Sequence, residues 1–138
     1  MGSSNIWHDG VPHVHDNPLF VHRTLDKMSL LKDNHPMIRL KRTDKFITWY
    51  KGLKDSQGKA HIVTRLKRVT QGNIGDVRPV GEGVSEMRIH FGPGYRIYFA
   101  REDDIVHVLL LGGDKKNQQR DITQAKALWA ALKRSTLK

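Results

Sequence analysis

The sequence predicts a small α+β domain in the order β-α-α-β-β-β-α, with a mostly antiparallel twisted sheet packed by two N-terminal helices and one C-terminal helix. Three observations predict it. Residues 84–111 fall into three short apolar or alternating runs separated by turn sequences. Phe46 to Leu53, Ile62 to Val69 and Ile122 to Leu132 place apolar side chains at helical spacing. The chain is 138 residues long with 38% hydrophobic content, enough for one domain with its own core.

The first 36 residues stand apart. They hold Gly10, Pro12, Pro18 and Pro36, five of the eight histidines, and no sustained period. Residues 1–36 are expected to be a poorly ordered extension, leader or tag, and residues 37–138 the folded domain. His8, His13, His15 and His22 could chelate a metal ion, but no acidic or Cys ligand completes a recognisable spacing, and the stretch reads as a His-rich leader.

From Met37, MIRLKRT alternates apolar and basic residues and reads as a strand. Thr43 suits a helix N-cap with Asp44 in the first turn. Phe46, Trp49, Tyr50 and Leu53 then form one apolar stripe. Asp55-Ser56-Gln57-Gly58 ends it, and a second helix is expected from about Lys59 to Thr70. It buries Ile62, Val63, Leu66 and Val69 and shows Lys59, Arg65, Lys67 and Arg68 on its other face. Gln71 to Gly83 is Gly-rich, lacks the GK[ST] of a phosphate-binding loop, and reads as a connection.

Val84 to Phe91 alternates, with Met87, Ile89 and Phe91 facing inward and Glu86, Arg88 and His90 outward. Gly92-Pro93-Gly94 is a turn. Tyr95 to Ala100 places Ile97 and Phe99 inward and Arg96 and Tyr98 outward. Glu102-Asp103-Asp104 is the next turn. Ile105 to Leu111 is nearly all apolar and reads as a central strand, interrupted by His107, a histidine expected to be half-buried and satisfied. After Gly112-Gly113-Asp114, a last helix is expected from about Asn117 to Arg134.

Net charge is +10, from 24 Lys and Arg against 14 Asp and Glu. Residues 1–36 carry three basic and four acidic side chains, and residues 37–138 carry twenty-one and ten. The whole excess lies in the folded part and favours a polyanionic partner. There is no cysteine, no apolar run long enough for a membrane span and no secretory signal, which fits a cytoplasmic protein with no membrane partner.

In an antiparallel meander, Arg88 and His90 stand near Arg96 and Tyr98, with Lys115 and Lys116 leaving the last strand beside them. Arg and Lys can hold phosphates there. His90 is the best single acid or base, and Arg88 and Arg96 suit stabilisation of transition-state charge. Tyr95 or Tyr98 could stack on a base or aid proton transfer. Alternatively, Arg88 and Arg96 pair with Glu86 and Glu102 on a solvated face. No hydroxyl or thiol nucleophile with a base at a telling spacing is present.

RPVGEGVSEMRIHFGPGYRIYFA followed by LLLGGDKKNQQRDITQAKAL resembles the RelE/HigB-type toxins of bacterial type II toxin–antitoxin modules, within the addiction-module killer group of the RelE/ParE superfamily. FITWYKGLKD and RLKRVTQGNIGD fit the same pattern, and the resemblance covers about residues 37–134. It implies a RelE-like fold and a growth-inhibiting endoribonuclease that cleaves mRNA on the translating ribosome, without metal, cofactor or small-molecule substrate. It also implies a cognate antitoxin that binds DNA. The positions matching the family's basic site residues are Arg88, His90, Arg96 and Lys115 or Lys116; Arg88, His90, Arg96 and Lys115 are the expected catalytic residues, and Arg65, Arg68, Tyr95, Tyr98 and Lys116 the expected RNA contacts. Some relatives have a C-terminal tyrosine acting on the scissile phosphate; this chain has Gln118 to Asp121 in that region. The alternative on the same fold is a ParE-like, non-enzymatic inhibitor of DNA gyrase.

Overall fold

The structure, a computed structural model, describes residues 37–136 and the backbone of three short stretches before them, β1 (Trp7–His8), β2 (Val11–Pro12) and β3 (Val14–Asp16). The rest of the expected extension, and the side chains of His8, His13, His15 and His22, lie outside the described residues. β1 pairs with β2, and β3 pairs antiparallel with the first strand of the domain, Val14 opposite Thr43.

The domain runs β4 (Arg39–Thr43), α1 (Asp44–Gly52), α2 (Ser56–Thr70), β5 (Val77–Gly81), β6 (Val84–Ile89), β7 (Tyr95–Asp103), β8 (Val106–Asp114), a 3-10 turn (Lys115–Asn117) and α3 (Gln118–Thr136). The sheet order is β3-β4-β8-β7-β6-β5. β4 and β8 are parallel, Arg39 opposite Val106, and every other pairing is antiparallel. The fold is α+β, as the sequence predicts; residues 37–136 hold one strand more than expected, β5, and β3 adds another at the opposite sheet edge. β5, which contains Pro79, lies within the Gly-rich stretch Gln71 to Gly83 that the sequence suggests is a connection. It sits at the sheet edge, where a residue without an N–H is tolerated.

Helix starts follow their caps. Thr43 Oγ1 accepts from Phe46 N at 3.0 Å, and Asp55 Oδ1 accepts from Gly58 N at 2.9 Å. The second cap starts α2 at Ser56, three residues before the expected Lys59. Asp114 caps the 3-10 turn by accepting from Asn117 N at 3.1 Å.

Helices cover both faces of the sheet. On one, Phe46 of α1 and Ile62, Leu66 and Val69 of α2 pack on Leu40, Met87, Ile89, Ile97, Phe99 and Leu109. On the other, Ala125, Leu128 and Leu132 of α3 pack on Val84, Tyr98, Ala100, Val108, Leu110 and Leu111. Each large apolar side chain so buried contributes roughly 1.5–3 kcal/mol. A register shift between Tyr98 and Phe99 leaves Leu110 without a partner on β7, so Leu110 and Leu111 both serve the α3 side. Among the described residues, no helix is long and apolar enough to cross a membrane.

Two glycines at the end of β8 let the layers close. A Cβ on Gly112 would strike the Trp49 ring of α1, and one on Gly113 would strike the Asp121 carboxylate of α3. The GGD sequence is therefore a packing device on both faces of one strand end.

Candidate functional site

β6 and β7 pair so that Glu86 lies opposite Tyr98, and Arg88 opposite Arg96. All four belong to the α3 side of the sheet. α3 begins only at Gln118, so it covers the Glu86–Tyr98 end and leaves the Arg88–Arg96 end open. The uncovered part is a cleft of about 570 Å³ lined by Arg78, Arg88, His90, Arg96, Lys115 and Gln118, with the Gly92-Pro93-Gly94 turn at its rim. All four predicted catalytic residues meet there.

A carboxylate from the loop before β5 organises the outer wall. Asp76 Oδ1 accepts from Arg88 Nη2 at 3.2 Å, and its Oδ2 lies 2.5 Å from His90 Nε2. The His90 hydrogen bond, the largest effect, holds the Asp76 carboxyl below the usual carboxylate range; desolvation opposes it, and the Arg88 charge adds a smaller lowering. An ionised Asp76 can only accept, so the neutral His90 ring bonds through Nε2–H and keeps its lone pair on Nδ1. His90 is 71% exposed, which leaves that nitrogen accessible to a ligand.

The floor is organised by a second carboxylate. Glu86 is fully buried, and its Oε2 accepts from Tyr98 Oη at 3.0 Å and from Gln118 Nε2 at 2.7 Å. Arg96 Nε stands 3.8 Å from the same oxygen, and Arg78 Nε 3.4 Å from Oε1. Arg96 is 6% exposed, and its Nε has no hydrogen-bond partner among the described residues. It is a buried cation with unused donor capacity at the base of an open cleft. Gly94 at the rim has a left-handed backbone (φ 79°) that favours glycine, and a Cβ there would crowd Lys115 Cβ at 3.2 Å.

Several expected contacts are corrected. Tyr98 was placed outward, but it is fully buried under α3, and burial with the Glu86 hydrogen bond pushes its hydroxyl pKa up. Tyr95 is 5% exposed, packs in the α1–α2 core and donates to Asp55 Oδ2 at 2.8 Å; burial pushes its pKa up to about 12. Neither tyrosine can stack on a base or exchange a proton near neutrality. Arg65 is a staple rather than a surface cation. It donates to Ile74 O at 3.1 and 3.2 Å, Asp76 O at 2.9 Å and Arg88 O at 2.6 Å, tying α2 to the Asp76 loop and β6. Arg68 and Lys116 are exposed. The Arg96–Glu86 pair is buried instead of solvated, Arg88 pairs with Asp76, and Glu102 bonds Lys41 at 3.0 Å. His107 is fully, not half, buried: it is 3% exposed and stacks on Phe99 at 5.4 Å.

Sequence reasoning missed Arg78 and Gln118 as cleft lining, and Asp76 and Glu86 as the carboxylates that hold its cations. Arg78 had a signal in the Val77–Val80 run, which keeps strand composition despite Pro79. Asp76 had none, since a lone acid in a glycine-rich loop is unremarkable until the fold brings it to His90. The arrangement can hold a phosphodiester between guanidinium and ammonium groups and move a proton at an imidazole beside it.

Fold and cleft define a small α+β protein with a cationic, histidine-bearing cleft at one end of a helix-covered sheet. The chain is 44% identical over 91 residues to an uncharacterized protein of Haemophilus influenzae, a match that spans 66% of this chain and 92% of that protein. It belongs to the same family as that protein. No family profile and no solved structure matches the chain.

Proposed function

We propose that this protein is the toxin of a RelE/HigB-type type II toxin–antitoxin module, with a RelE-like topology, acting as a metal-independent endoribonuclease on mRNA at the translating ribosome. One observation carries the reading: Arg88, His90, Arg96 and Lys115, from two strands, a turn and the segment after β8, line one cleft. A phosphodiester sits over the Arg96 floor with Arg88 and Lys115 at its sides. His90 Nδ1 takes the proton of the 2′-hydroxyl, whose oxygen attacks the adjacent phosphorus. The P–O2′ bond forms as the P–O5′ bond breaks, giving a 2′,3′-cyclic phosphate. The leaving 5′-oxygen takes a proton from Lys115 or from solvent. Charge gathering on the phosphate is met by Arg88 and Arg96, which Asp76 and Glu86 already hold in place. A cognate antitoxin and a cytoplasmic location belong to the same reading.

The test is inducible expression with mapping of mRNA 5′ ends for the wild type, Arg96→Ala and His90→Ala. New codon-phased cuts that vanish in Arg96→Ala are the expected result. Intact mRNA with accumulating DNA breaks would replace this reading with gyrase inhibition. Growth inhibition that survives in both variants would overturn the site assignment.

A further inference from the structure

His90 borders a second depression. On its α2 side lies a groove of about 420 Å³ lined by Ala60, His61, Thr64, Arg65, Arg68 and His90. His61 is exposed and stacks on Phe91, ring centroids 4.0 Å apart and planes 19° from parallel. His61 lines the groove, whereas Phe91 lines the cleft. The stacked pair and His90 therefore form the wall between the two depressions.

Each wall of the groove matches a different part of a nucleotide. The His61 ring, backed and held flat by Phe91, offers an aromatic face to a base. The Arg68 guanidinium is exposed and has no ion pair among the described residues. Arg65 closes the floor with its donors committed to carbonyls, so it adds positive charge without competing for a ligand. We propose that this groove seats the nucleotide adjoining the scissile phosphate of a single-stranded RNA, its base stacked on His61 and its phosphate against Arg68. The RNA would cross the His90 wall, which places the reacting 2′-hydroxyl beside that imidazole. The inference rests on the ribonuclease reading of the cleft.

The test uses fluorescence anisotropy with 2′-O-methyl hexanucleotides of A, C, G and U, whose blocked 2′-oxygen cannot attack. The wild type is compared with His61→Ala, His61→Phe, Arg68→Ala and Arg96→Ala. His61→Ala should weaken binding roughly ten-fold or more, the order expected for losing one base–aromatic stack, and His61→Phe should restore most of it. Arg68→Ala should lower the slope of log Kd against log salt by about one. Unchanged affinity in His61→Ala beside weakened binding in Arg96→Ala would overturn the groove and leave the cleft standing. Loss in His61→Ala without loss in Arg96→Ala would keep the groove as an RNA site and remove the cleft. Failure of His61→Phe to restore binding overturns stacking. No wild-type binding to any hexanucleotide, or binding unaltered in every variant, overturns both.

Discussion

Asp76 Oδ2 accepts a hydrogen bond from His90 Nε2 at 2.5 Å, while its other oxygen takes Arg88 Nη2 at 3.2 Å. One loop carboxylate thereby fixes the ring orientation of the cleft's His90 and the reach of a neighbouring guanidinium. Its pKa is lowered from 3.8, first by the His90 hydrogen bond. A depressed carboxyl contributes stability that is present above its unfolded pKa and is lost as pH falls through the folded one. The link is therefore intact across the whole range in which an imidazole titrates.

Asp76→Asn tests what the link does. An amide cannot accept from both partners with two oxygens, and its NH2 favours an acceptor nitrogen on His90, which moves the ring proton to Nδ1. Removing a general base costs about 10²–10⁴-fold. Asp76→Asn should lose a substantial part of that in single-turnover RNA cleavage at saturating enzyme, while binding of a 2′-O-methyl RNA changes far less. An equal loss in both measurements would mean that Asp76 acts through general folding or charge.

Glu86 is the larger structural risk. It is fully buried and faces Tyr98, Gln118, Arg96 and Arg78 at once. Truncating one partner of a buried ion pair leaves the other charge uncompensated and costs about 3–5 kcal/mol. For a domain of this size, 1 kcal/mol shifts Tm by roughly 4–8 °C. Glu86→Ala should therefore lower Tm by well over ten degrees in calorimetry. Glu86→Gln keeps an acceptor for Tyr98 and Gln118, so it should fall less. A Tm for Glu86→Ala within two or three degrees of wild type would show that the four partners do not depend on this carboxylate.

The strand pattern around residues 84–100 was legible because alternation fixes which residues share a face, and Arg88, His90 and Arg96 share one cleft as read. Alternation could not say which stretch of that face a helix covers. Tyr98 and Arg96 are two residues apart on the same face, yet one lies under α3 and the other opens into the cleft. That difference depends on where α3 starts relative to β6. Glu86 shows the same limit. An acid on the polar side of a strand reads as solvated, and only the approach of Gln118 and Tyr98 turns it into a buried hub. The roles of Asp76 and Arg65 were hidden for a different reason: Asp76 sits in a loop and Arg65 donates to backbone carbonyls, and neither leaves a period in the sequence.

His107 gives a pH signature of stability. Burial pushes its pKa below 6.5, so the folded protein favours the neutral ring. The unfolded chain takes up a proton near pH 6.5, which the folded chain resists until its own lower pKa. This contribution is therefore complete above about pH 6.5 and declines as the solution is acidified through the interval below it. Tm measured at pH 7.5 and 5.5 should fall more for the wild type than for His107→Phe, which keeps an aromatic ring against Phe99 and cannot be protonated. Identical acid losses in both proteins would remove His107 as the cause.

The glycine pair at the end of β8 yields a contrast within one residue type. A Cβ on Gly112 would overlap the Trp49 ring, which is held between the first core, Phe46 at 5.7 Å and Tyr95 at 6.1 Å. Trp49 is partly buried against that core, and forced overpacking costs typically about 1–3 kcal/mol. Gly52, the last residue of α1, has nothing within 4 Å of a built Cβ and no left-handed backbone. Alanine there only removes unfolded-state freedom, a gain of about 0.4–1 kcal/mol. Gly112→Ala should thus lower Tm while Gly52→Ala holds or raises it. Adding Trp49→Leu to Gly112→Ala should recover part of the loss, because the clash, not strand propensity, is its origin. If the double variant were no more stable than the sum of the two single changes, the ring contact would not be what requires glycine at this position.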